Sequence, residues 1–495
     1  MAVCLAGSAL ASVSWYIMKD TGNEGIKYFK DEQGGYSPGN WANAQTSGTL
    51  SGLLNGDDIL DSDTVYISQG TYALDALITI SKALTVYGGF SGSGSEQTLD
   101  DRKDSNAPVI LSGQDTHQIL AISANATFDS LTFTHGKSTS DGGAVSITKG
   151  APIFTNCAIT DNTAKDNGGG IAIKGGVLTL TNCSIVNNKA PNGGGFYAAG
   201  IASSPVSVTL TNCTIAGNKA TTNGAGIYIQ TSTLAILNCN VVNNKGANSG
   251  GIELYSFKGT ASLTNSFAWN TDSSNAVKTA GSGVTQTYTS CVLPPAITEG
   301  TDTISLDQWT NPLSSSSTVS GVTHTVFTLA DNPDLLVLMS QDKTAEAPST
   351  DILGHPRFTP PTIGSLEYPF DTGYDVSTPD GLTVYGIGWN TQGTITAKNK
   401  PSVAGKLFHP LKKVKVTASS TNGWMLKSEF GDTIKYVLKS EKSGPETTTW
   451  EFSADELNAE GGTSKVVGAD VEDFSMNRPG AYDDTVTYTV TLEDK

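Results

Sequence analysis

One short polar motif has residue types suited to hydrolytic chemistry. Asn270-Thr271-Asp272 places a carboxylate beside an amide and a hydroxyl. Hydrolysis of a glycosidic bond needs two carboxyl groups, one to protonate the leaving oxygen and one to activate water or attack the sugar. The paired acid and base that this motif should face are missing from the neighbouring segments. The motif alone therefore does not predict a hydrolase.

Other catalytic patterns are also incomplete. Polygalacturonase-like enzymes combine Asn-Thr-Asp with a His-Gly and an Arg-x-Lys, whereas here His135-Gly136 lies far upstream and no Arg-x-Lys occurs. Lyases need a basic residue, and Arg102, Arg357 and Arg478 all lie outside the repeats described below. The five histidines are dispersed, and no acidic cluster suits calcium. We therefore expect no catalytic residues, no metal site and no cofactor.

A column of lysines has the residue type for binding anions. Asn188-Lys189, Asn218-Lys219 and Asn244-Lys245 recur at the same position of successive repeats. Asparagine tolerates left-handed backbone and can hydrogen-bond its neighbours in a ladder. Nothing in such a turn requires lysine, and stacked ammonium groups repel one another. Two explanations stay open, namely long side chains that extend into water and a ridge that binds an anionic surface or glycan.

The cysteines follow the same register. Five of the six cysteines occupy the same repeat position, at Cys157, Cys183, Cys213, Cys239 and Cys291, and the sixth, Cys4, lies in the N-terminal segment. Cysteine behaves as a small hydrophobic residue when buried, and parallel Cα–Cβ vectors suit a disulfide poorly. We predict a structural ladder of free, buried thiols at these five positions.

These residues are positioned by a repeat with a period near 26. Each copy gives an Asn-Cys pair, a short alternating strand, an Asn turn, a Gly-rich corner such as Gly168-Gly169-Gly170, and a second apolar strand. Three short strands with three corners account for this length. One such coil cannot bury its inward side chains alone, so coils must stack in parallel. The sequence predicts a right-handed parallel β-helix.

Three segments resemble bacterial surface β-helix proteins. The repeats resemble those of chlamydial polymorphic outer-membrane proteins, and Asn40 to Ala44 with the strands from Asp63 and Leu84 is similar to an N-terminal cap of such a family. A segment from Thr350 resembles the one that closes many such helices, on the residues Asp351, Gly354, Pro356, Arg357, Ile363, Gly364, Glu367 and Tyr368. The resemblance implies the fold of about residues 35–370 and says little about function.

The fold class is thus all-β, with a β-helix followed by a C-terminal antiparallel β-sandwich. Residues 1–11 read as a signal-peptide remnant, 12–60 as an N-terminal cap, 61–370 as the β-helix with its closing segment, and 371–495 as the sandwich. Alternating strands after residue 370 predict an immunoglobulin-like or pilin-like module. No segment has the ~18 apolar residues of a spanning helix.

The net charge of −17 argues against nucleic acid and anionic membranes as partners. We expect a non-enzymatic, secreted or cell-surface, adhesin-like protein that contacts polysaccharides or cell surfaces. A polysaccharide lyase or glycoside hydrolase acting on an acidic polysaccharide along the β-helix face is the alternative. A face with carboxylates and aromatic residues on consecutive coils favours the enzyme, and uniform Asn, Thr and Ser columns favour the rod. The sequence leaves the oligomeric state open.

Overall fold

A computed structural model gives the fold of most of the chain. It describes residues 12–20, 25–95, 98–103, 107–201, 203, 206–255, 259–269, 276–280, 284–289, 291–293, 304–305, 313–319, 322–328, 349–352, 357, 374–379, 387–400, 412–459, 461–473 and 481–494. The chain forms two compact units, Met1–Glu367 and Tyr368–Lys495. The predicted signal-peptide remnant, residues 1–11, lies outside the described residues.

The first unit is a parallel β-helix, as predicted, with four sheets along its length. Sheet A contains Thr46–Gly48, Ile26–Asp31, Ser14–Lys19, Thr64–Ser68, Leu84–Phe90, Ala126–Asp129, Ile153–Thr155, Val177–Thr181, Val206–Thr211, Ser232–Leu237, Gly259–Thr264 and Val284–Thr289. Sheet B contains Gly70–Ala73, Val109–Ser112, Thr132–Thr134, Ala158–Thr160, Ser184–Val186, Thr214–Ala216, Asn240–Val242, Phe267–Trp269, Val292–Leu293 and Ile304–Ser305.

The other two sheets complete each coil. Sheet C contains Ile78–Ile80, Leu120–Ile122, Val145–Ile147, Ile171–Ile173, Phe196–Ala199, Ile227–Gln230, Ile252–Tyr255 and Val277–Ala280. Sheet D contains Lys137–Ser138, Thr163–Ala164, Lys189–Asn192, Lys219–Asn223 and Lys245–Gly246. The chain visits the sheets in the order A, B, D, C. Three strands per coil were predicted, so the short strands of sheet D are an addition.

Left-handed residues turn the chain between sheets and explain the repeat. The asparagine before each cysteine has a positive φ, between 51° and 54° at Asn156, Asn182, Asn212 and Asn238. Asparagine adopts this conformation at lower cost than other residues with a β-carbon. Beyond this corner the side chains alternate, so that Ile185, Ile215 and the preceding cysteines point inward and are fully buried. The Asn-Cys pair is therefore a corner followed by a core position.

The N-terminal cap extends sheet A. Ser14–Lys19 pairs in parallel with Thr64–Ser68, and two antiparallel strands follow it at the edge of the sheet. The cap also holds the helix Leu50–Asn55 and the 3-10 helix Pro38–Asn43, and a second 3-10 helix, Asp101–Lys103, lies within the second coil, between its sheet A and sheet B strands. The buried carboxylate of Asp63 accepts hydrogen bonds from the Val13 backbone N–H and the Trp15 indole N–H, which ties the cap to the first coil.

The second unit consists of two antiparallel sheets. One contains Tyr374–Ser377, Gly388–Asn399, Thr463–Val471, Thr433–Lys439, Met425–Ser428 and Tyr482–Asp483, and the other contains Thr449–Phe452, Lys412–Ser420 and Val486–Asp494. Both sheets contribute to one buried cluster that includes Val414, Tyr436 and Trp450. This arrangement confirms the predicted antiparallel sandwich, and its likeness to immunoglobulin or pilin modules remains a prediction. A short helix, Ala454–Asn458, joins two strands. Among the described residues, no helix has the length and apolar character needed to cross a membrane.

Candidate functional site

The predicted lysines lie on sheet D in exact register. Lys189 pairs with Lys219, and Lys219 pairs with Lys245, each one coil further along the helix. All three side chains are exposed, and none has an ion-pair partner within the described part of the chain. We call Lys189, Lys219 and Lys245 the lysine ridge. The residues that flank each lysine within sheet D carry no charge, and Glu253, on the coil of Lys245, is buried, so the ridge is locally unopposed on an acidic protein.

A buried asparagine ladder holds the ridge in place. The Asn218 amide oxygen accepts from the backbone N–H of Asn188 at 2.9 Å, and its amide N–H groups donate to the Ile185 carbonyl and to the Asn244 side chain, both at 2.9 Å. Asn162 and Asn188 repeat this pattern, and all four asparagines are at most 1% exposed. Each ladder residue directly precedes a position of the lysine column, so the ladder fixes where each lysine emerges.

The left-handed residue in this turn is not the one that was predicted. The positive φ belongs to the residue before the ladder asparagine, at Asp161, Asn187, Gly217 and Asn243. The ladder asparagines themselves do not have positive φ angles. The left-handed residue turns the chain at the corner. The side chain of the next residue then points inward, where it forms hydrogen bonds with three neighbouring residues. The prediction of a side-chain ladder was right, but the backbone role was assigned one residue too late.

Sequence reasoning missed two lysines on the same face. The column continues towards the N-terminus through Thr163 to Lys137, which is exposed. In the coil where Thr163 stands in the column, Lys165 is exposed two residues further along. The signal was present in the degenerate repeat His135-Gly136-Lys137, which aligns with Asn187-Asn188-Lys189. Five consecutive coils thus carry a lysine on this face.

A second, half-buried asparagine ladder runs beside the lysine ridge. Asn192 donates to Asn167, Asn223 donates to Asn192, and Asn248 donates to Asn223, at 2.8–2.9 Å. Asn192 lies three residues beyond Lys189, so the ladder runs about 10 Å from the lysine column at ~3.3 Å per residue. An amide has two N–H groups and an oxygen with two lone pairs. Each of these side chains therefore retains hydrogen-bonding capacity towards solvent.

The outer face of sheet C combines aromatic rings with carboxylates. Tyr197 and Tyr228 stack with centroids 5.7 Å apart and planes 10° from parallel, and Tyr255 continues the stack at 6.4 Å. In the register of the parallel strands, the residue paired with Tyr228 on the next coil is Glu253, which is 3% exposed. Its carboxylate accepts from the Gly224 backbone N–H and the Ser249 hydroxyl and faces Lys278 at 3.5 Å. Tyr197 and Tyr228 are each 8% exposed, and the Glu253 carboxylate is occupied by these partners.

Burial is the main cause of the pKa shifts of the tyrosines on this face. Burial raises the pKa of Tyr197, and it raises the pKa of Tyr228 to about 12, with the Glu253 carboxylate as a second cause. At the other end of the stack, Lys174 forms an ion pair with Asp141, and this hydrogen bond raises the pKa of Lys174. Neither tyrosine is therefore poised to lose a proton near neutral pH.

The outer face of sheet A is uncharged from the fourth coil onward. Its outward positions on six consecutive strands there hold 11 threonines, 2 serines and 4 apolar residues. They are Ile153, Thr155, Val177, Thr179, Thr181, Ser207, Thr209, Thr211, Thr233, Ala235, Leu237, Thr260, Ser262, Thr264, Thr285, Thr287 and Thr289. Threonine suits the solvent face of a strand, so these uniform columns need no ligand to explain them.

Three neighbouring strands on the outer face of sheet B are covered by the chain that follows the helix. The antiparallel hairpin Leu313–Val319 and Val322–Thr328 places its second strand against three strands of sheet B. His324 is fully buried there, with its Nδ1 3.0 Å from the Ser184 hydroxyl oxygen. Further along, Arg357 donates to the Asn212 amide oxygen at 2.8 Å, and Asn212 donates to the Thr350 carbonyl. The described part of the predicted closing segment therefore contacts the flank of the helix.

Acidification is expected to release this hairpin. Burial lowers the pKa of His324 to about 4, and its Nε2 has no partner among the described residues. In a released hairpin the His324 imidazole would have its ordinary pKa near 6.5. The released state therefore binds more protons than the docked state between pH 6.5 and 4. Docking should weaken by about 1.4 kcal/mol per pH unit in this window. Limited proteolysis within 313–328 should accelerate at pH 5 relative to pH 7.

A matched variant separates this effect from general acid lability. His324→Gln keeps a polar side chain of similar size but cannot titrate. Its rate of cleavage, corrected for protease activity, should not change between pH 7 and pH 5. Equal acceleration in both proteins would show that another group controls the release.

The cysteine column forms part of the core. Cys157, Cys183, Cys213, Cys239 and Cys291 are free thiols with no measurable exposure. Each sulfhydryl donates to a backbone carbonyl two residues earlier, at 3.2–3.3 Å. Burial raises the pKa of the Cys183 and Cys239 thiols well above their usual value and that of Cys291 to about 11. Because none of the five sulfur atoms is exposed, none offers the accessible thiolate that reactive cysteines need.

Thiol titration is expected to give a sharp contrast. In native protein at pH 8, none of these five thiols should react with a disulfide reagent within minutes. In denaturant without reductant, all five should react, because they are not paired. Fewer than five reactive thiols after denaturation would reveal a disulfide within the column.

The described residues that were considered for catalysis do not form a common site. Asn270-Thr271-Asp272 lies outside the described residues, as does Arg478. Arg102 is 6% exposed, pairs with Asp129 at 2.7 Å and packs over the ring of Tyr87. His135 is exposed and faces Asp115 at 3.6 Å. Within the described residues, no group of three or more His, Cys, Asp or Glu side chains is arranged to hold a metal ion.

Comparison with known proteins supports the fold. Residues 109–285 match a family model described as right handed beta helix region. No curated protein matches the chain. Among solved structures, it is similar to that titled "Crystal structure of pectate lyase Pel9A", at 12% sequence identity and a TM-score of 0.32, with 76% of this chain and 95% of that chain covered. A similarity at this level gives no information about activity.

Proposed function

We propose that this chain is a non-enzymatic, adhesin-like β-helix protein, secreted or displayed on a bacterial cell surface, that contacts acidic glycans through the lysine ridge. The observation that carries the proposal is the unopposed, in-register column of Lys189, Lys219 and Lys245 on a chain of net charge −17. Five coils in a row retain a lysine on this face, which an ordinary solvated turn does not require.

Other faces of the helix support a rod rather than an enzyme. Sheet A offers only threonine, serine and apolar side chains over six strands, and three strands of sheet B are covered by the hairpin. Among the described residues, neither face presents two accessible carboxylates at the separation that glycoside hydrolysis needs. The likeness to bacterial surface proteins stated above agrees with a role outside the cell.

The enzymatic alternative draws on sheet C. Tyrosines and carboxylates on consecutive coils of that face are the pattern expected for an enzyme acting on an acidic polysaccharide. Against this role, Glu253 is buried among its own hydrogen-bond donors, and Asp141 is paired with Lys174. We therefore favour the adhesin-like function and treat the lyase or hydrolase as the alternative to be tested.

Substitution of the ridge tests the proposal. Changing Lys189, Lys219 and Lys245 together to Gln should weaken binding to pectate or alginate at least tenfold at low salt. Several weak contacts act together in such a site, so the loss exceeds that of one lysine. Binding of the unsubstituted protein should also fall as salt rises, because exposed charges are screened. Surface plasmon resonance on immobilised polysaccharide measures both effects.

A charge-matched control isolates the position of the lysines. Lys149, Lys398 and Lys427 are exposed and lie off sheet D, so changing them to Gln removes the same charge. This control should bind as the unsubstituted protein does. Retention of full binding by the ridge variant would refute the proposal. Release of unsaturated or reducing ends from these polymers, if abolished by Asp272→Ala, would instead support the enzyme.

A further inference from the structure

We propose that the lysine ridge binds a linear acidic polysaccharide that runs parallel to the helix axis, with one acidic sugar residue per coil. This inference rests on the proposed function and adds the orientation, register and length of the ligand. It follows from three features of sheet D, which are the spacing of the charges, their extent, and the amide ladder beside them.

The spacing of the charges is set by the backbone. Lys189, Lys219 and Lys245 stand on hydrogen-bonded parallel strands, which are about 4.8 Å apart. The axial rise of one residue in an extended, 1,4-linked hexuronate chain is close to this distance. A chain laid along the helix axis therefore meets one ammonium group per carboxylate. B-form DNA carries a phosphate every ~3.4 Å along each strand, so its charges fall out of register.

The extent of the column sets the length of ligand that it can engage. Lys137 to Lys245 spans four coil steps, or about 19 Å at the strand spacing. Lys165 supplies the charge for the coil of Thr163, but Asp161 and Asp166 are exposed on the same coil. The three coils of the lysine ridge form the unopposed part. Lys137 is the most distant member, and its removal should shorten the site from one end.

The amide ladder supplies groups suited to sugar hydroxyls. Asn167, Asn192 and Asn223 follow the same axial period as the lysines and run parallel to them. Asn192 and Asn223 each use one N–H and one oxygen lone pair within the ladder, and their remaining groups can bond a hydroxyl as donor and as acceptor. A polyanion without hydroxyl groups can use only the free N–H groups of this second column and not the amide oxygens. The pairing of a cation column with an amide column therefore favours an acidic polysaccharide.

Oligosaccharides of defined length test the register. We expect the affinity for oligogalacturonates, measured by isothermal titration calorimetry at low salt, to rise with each added residue up to about five and then level off. In Lys137→Gln the plateau should be reached with a shorter oligomer. In Lys149→Gln, which removes an exposed lysine from another face, the plateau should stay where it is. Heparin-derived oligosaccharides of matched length show whether sulfate can replace carboxylate.

The outcomes separate this inference from the function on which it rests. If Lys137→Gln and Lys149→Gln behave alike, or affinity rises with total ligand charge and no plateau, the axial register is wrong although ridge binding stands. If the triple Gln variant still binds pectate, the proposed function itself fails. Tighter binding of a single-stranded oligonucleotide of equal charge would overturn the assignment to polysaccharides.

Discussion

Replacement of Asn218 with alanine is expected to lower the free energy of unfolding by about 3 to 5 kcal/mol, because it leaves several buried groups without partners. The Asn188 backbone N–H loses its acceptor, and the Ile185 carbonyl loses its donor. Asn244 loses the contact from the Asn218 amide N–H. Water cannot replace these bonds, since the side chain has no measurable exposure. Urea unfolding monitored by circular dichroism measures the change.

Asn223→Ala is the matched control for this prediction. Asn223 makes a similar side-chain ladder with Asn192 and Asn248, but that ladder is open to solvent. Water replaces the lost bonds, so the free energy of unfolding should fall by less than about 1 kcal/mol. Similar losses for Asn218→Ala and Asn223→Ala would show that burial of the inner ladder contributes little.

Gly169→Ala should destabilise the β-helix by roughly 3 kcal/mol or more, through overpacking that the backbone cannot relieve. A β-carbon at this position would overlap the Gly194 carbonyl oxygen and the backbone of Lys189 in the next coil. Both atoms belong to stacked backbone, so moving them would break the ladder of the neighbouring strands. Differential scanning calorimetry should show a lower midpoint.

Gly39→Ala provides the comparison for the glycine prediction. An added β-carbon at Gly39 meets no atom within 4 Å, and the residue lies in a 3-10 helix of the cap. The substitution should change the midpoint little or raise it slightly, since alanine restricts the unfolded chain. An unchanged midpoint for Gly169→Ala would mean that the corner has room to move.

The sequence predicts the stack well because the repeat constrains every coil alike. Each feature of the repeat meets one physical requirement. The 26-residue period sets the length of a coil, the Asn-Cys pair provides a left-handed turn, and the Gly-rich corner allows close approach of the backbones. Sheet D was missed because strands of two residues, such as Lys137–Ser138 and Thr163–Ala164, carry no alternation to detect.

At the candidate site, the repeat pattern does not identify the structural role of each residue. Asn187 and Asn188 are adjacent and identical, so the sequence cannot say which makes the corner and which enters the ladder. Only the coil with Gly217 before Asn218 hints that the first of the two is left-handed. The contact of His324 with Ser184 could not be predicted, because it joins residues 140 apart and occurs once. A repeat pattern contains no information about a later segment that folds back over the coils.

The hairpin 313–328 and the contacts of Thr350 and Arg357 with the helix also determine how a pulling force is transmitted through the first unit. A pull on the chain beyond Arg357 meets the contacts of Arg357 and Thr350 with Asn212 first, and then the hairpin at Ser184. Only after these contacts part does the force reach the last coils, whose final described strand is Ile304–Ser305. A helix held by its final strand alone would peel coil by coil from that end. Here these contacts bear the load first, so the terminal coils stay paired until the contacts part.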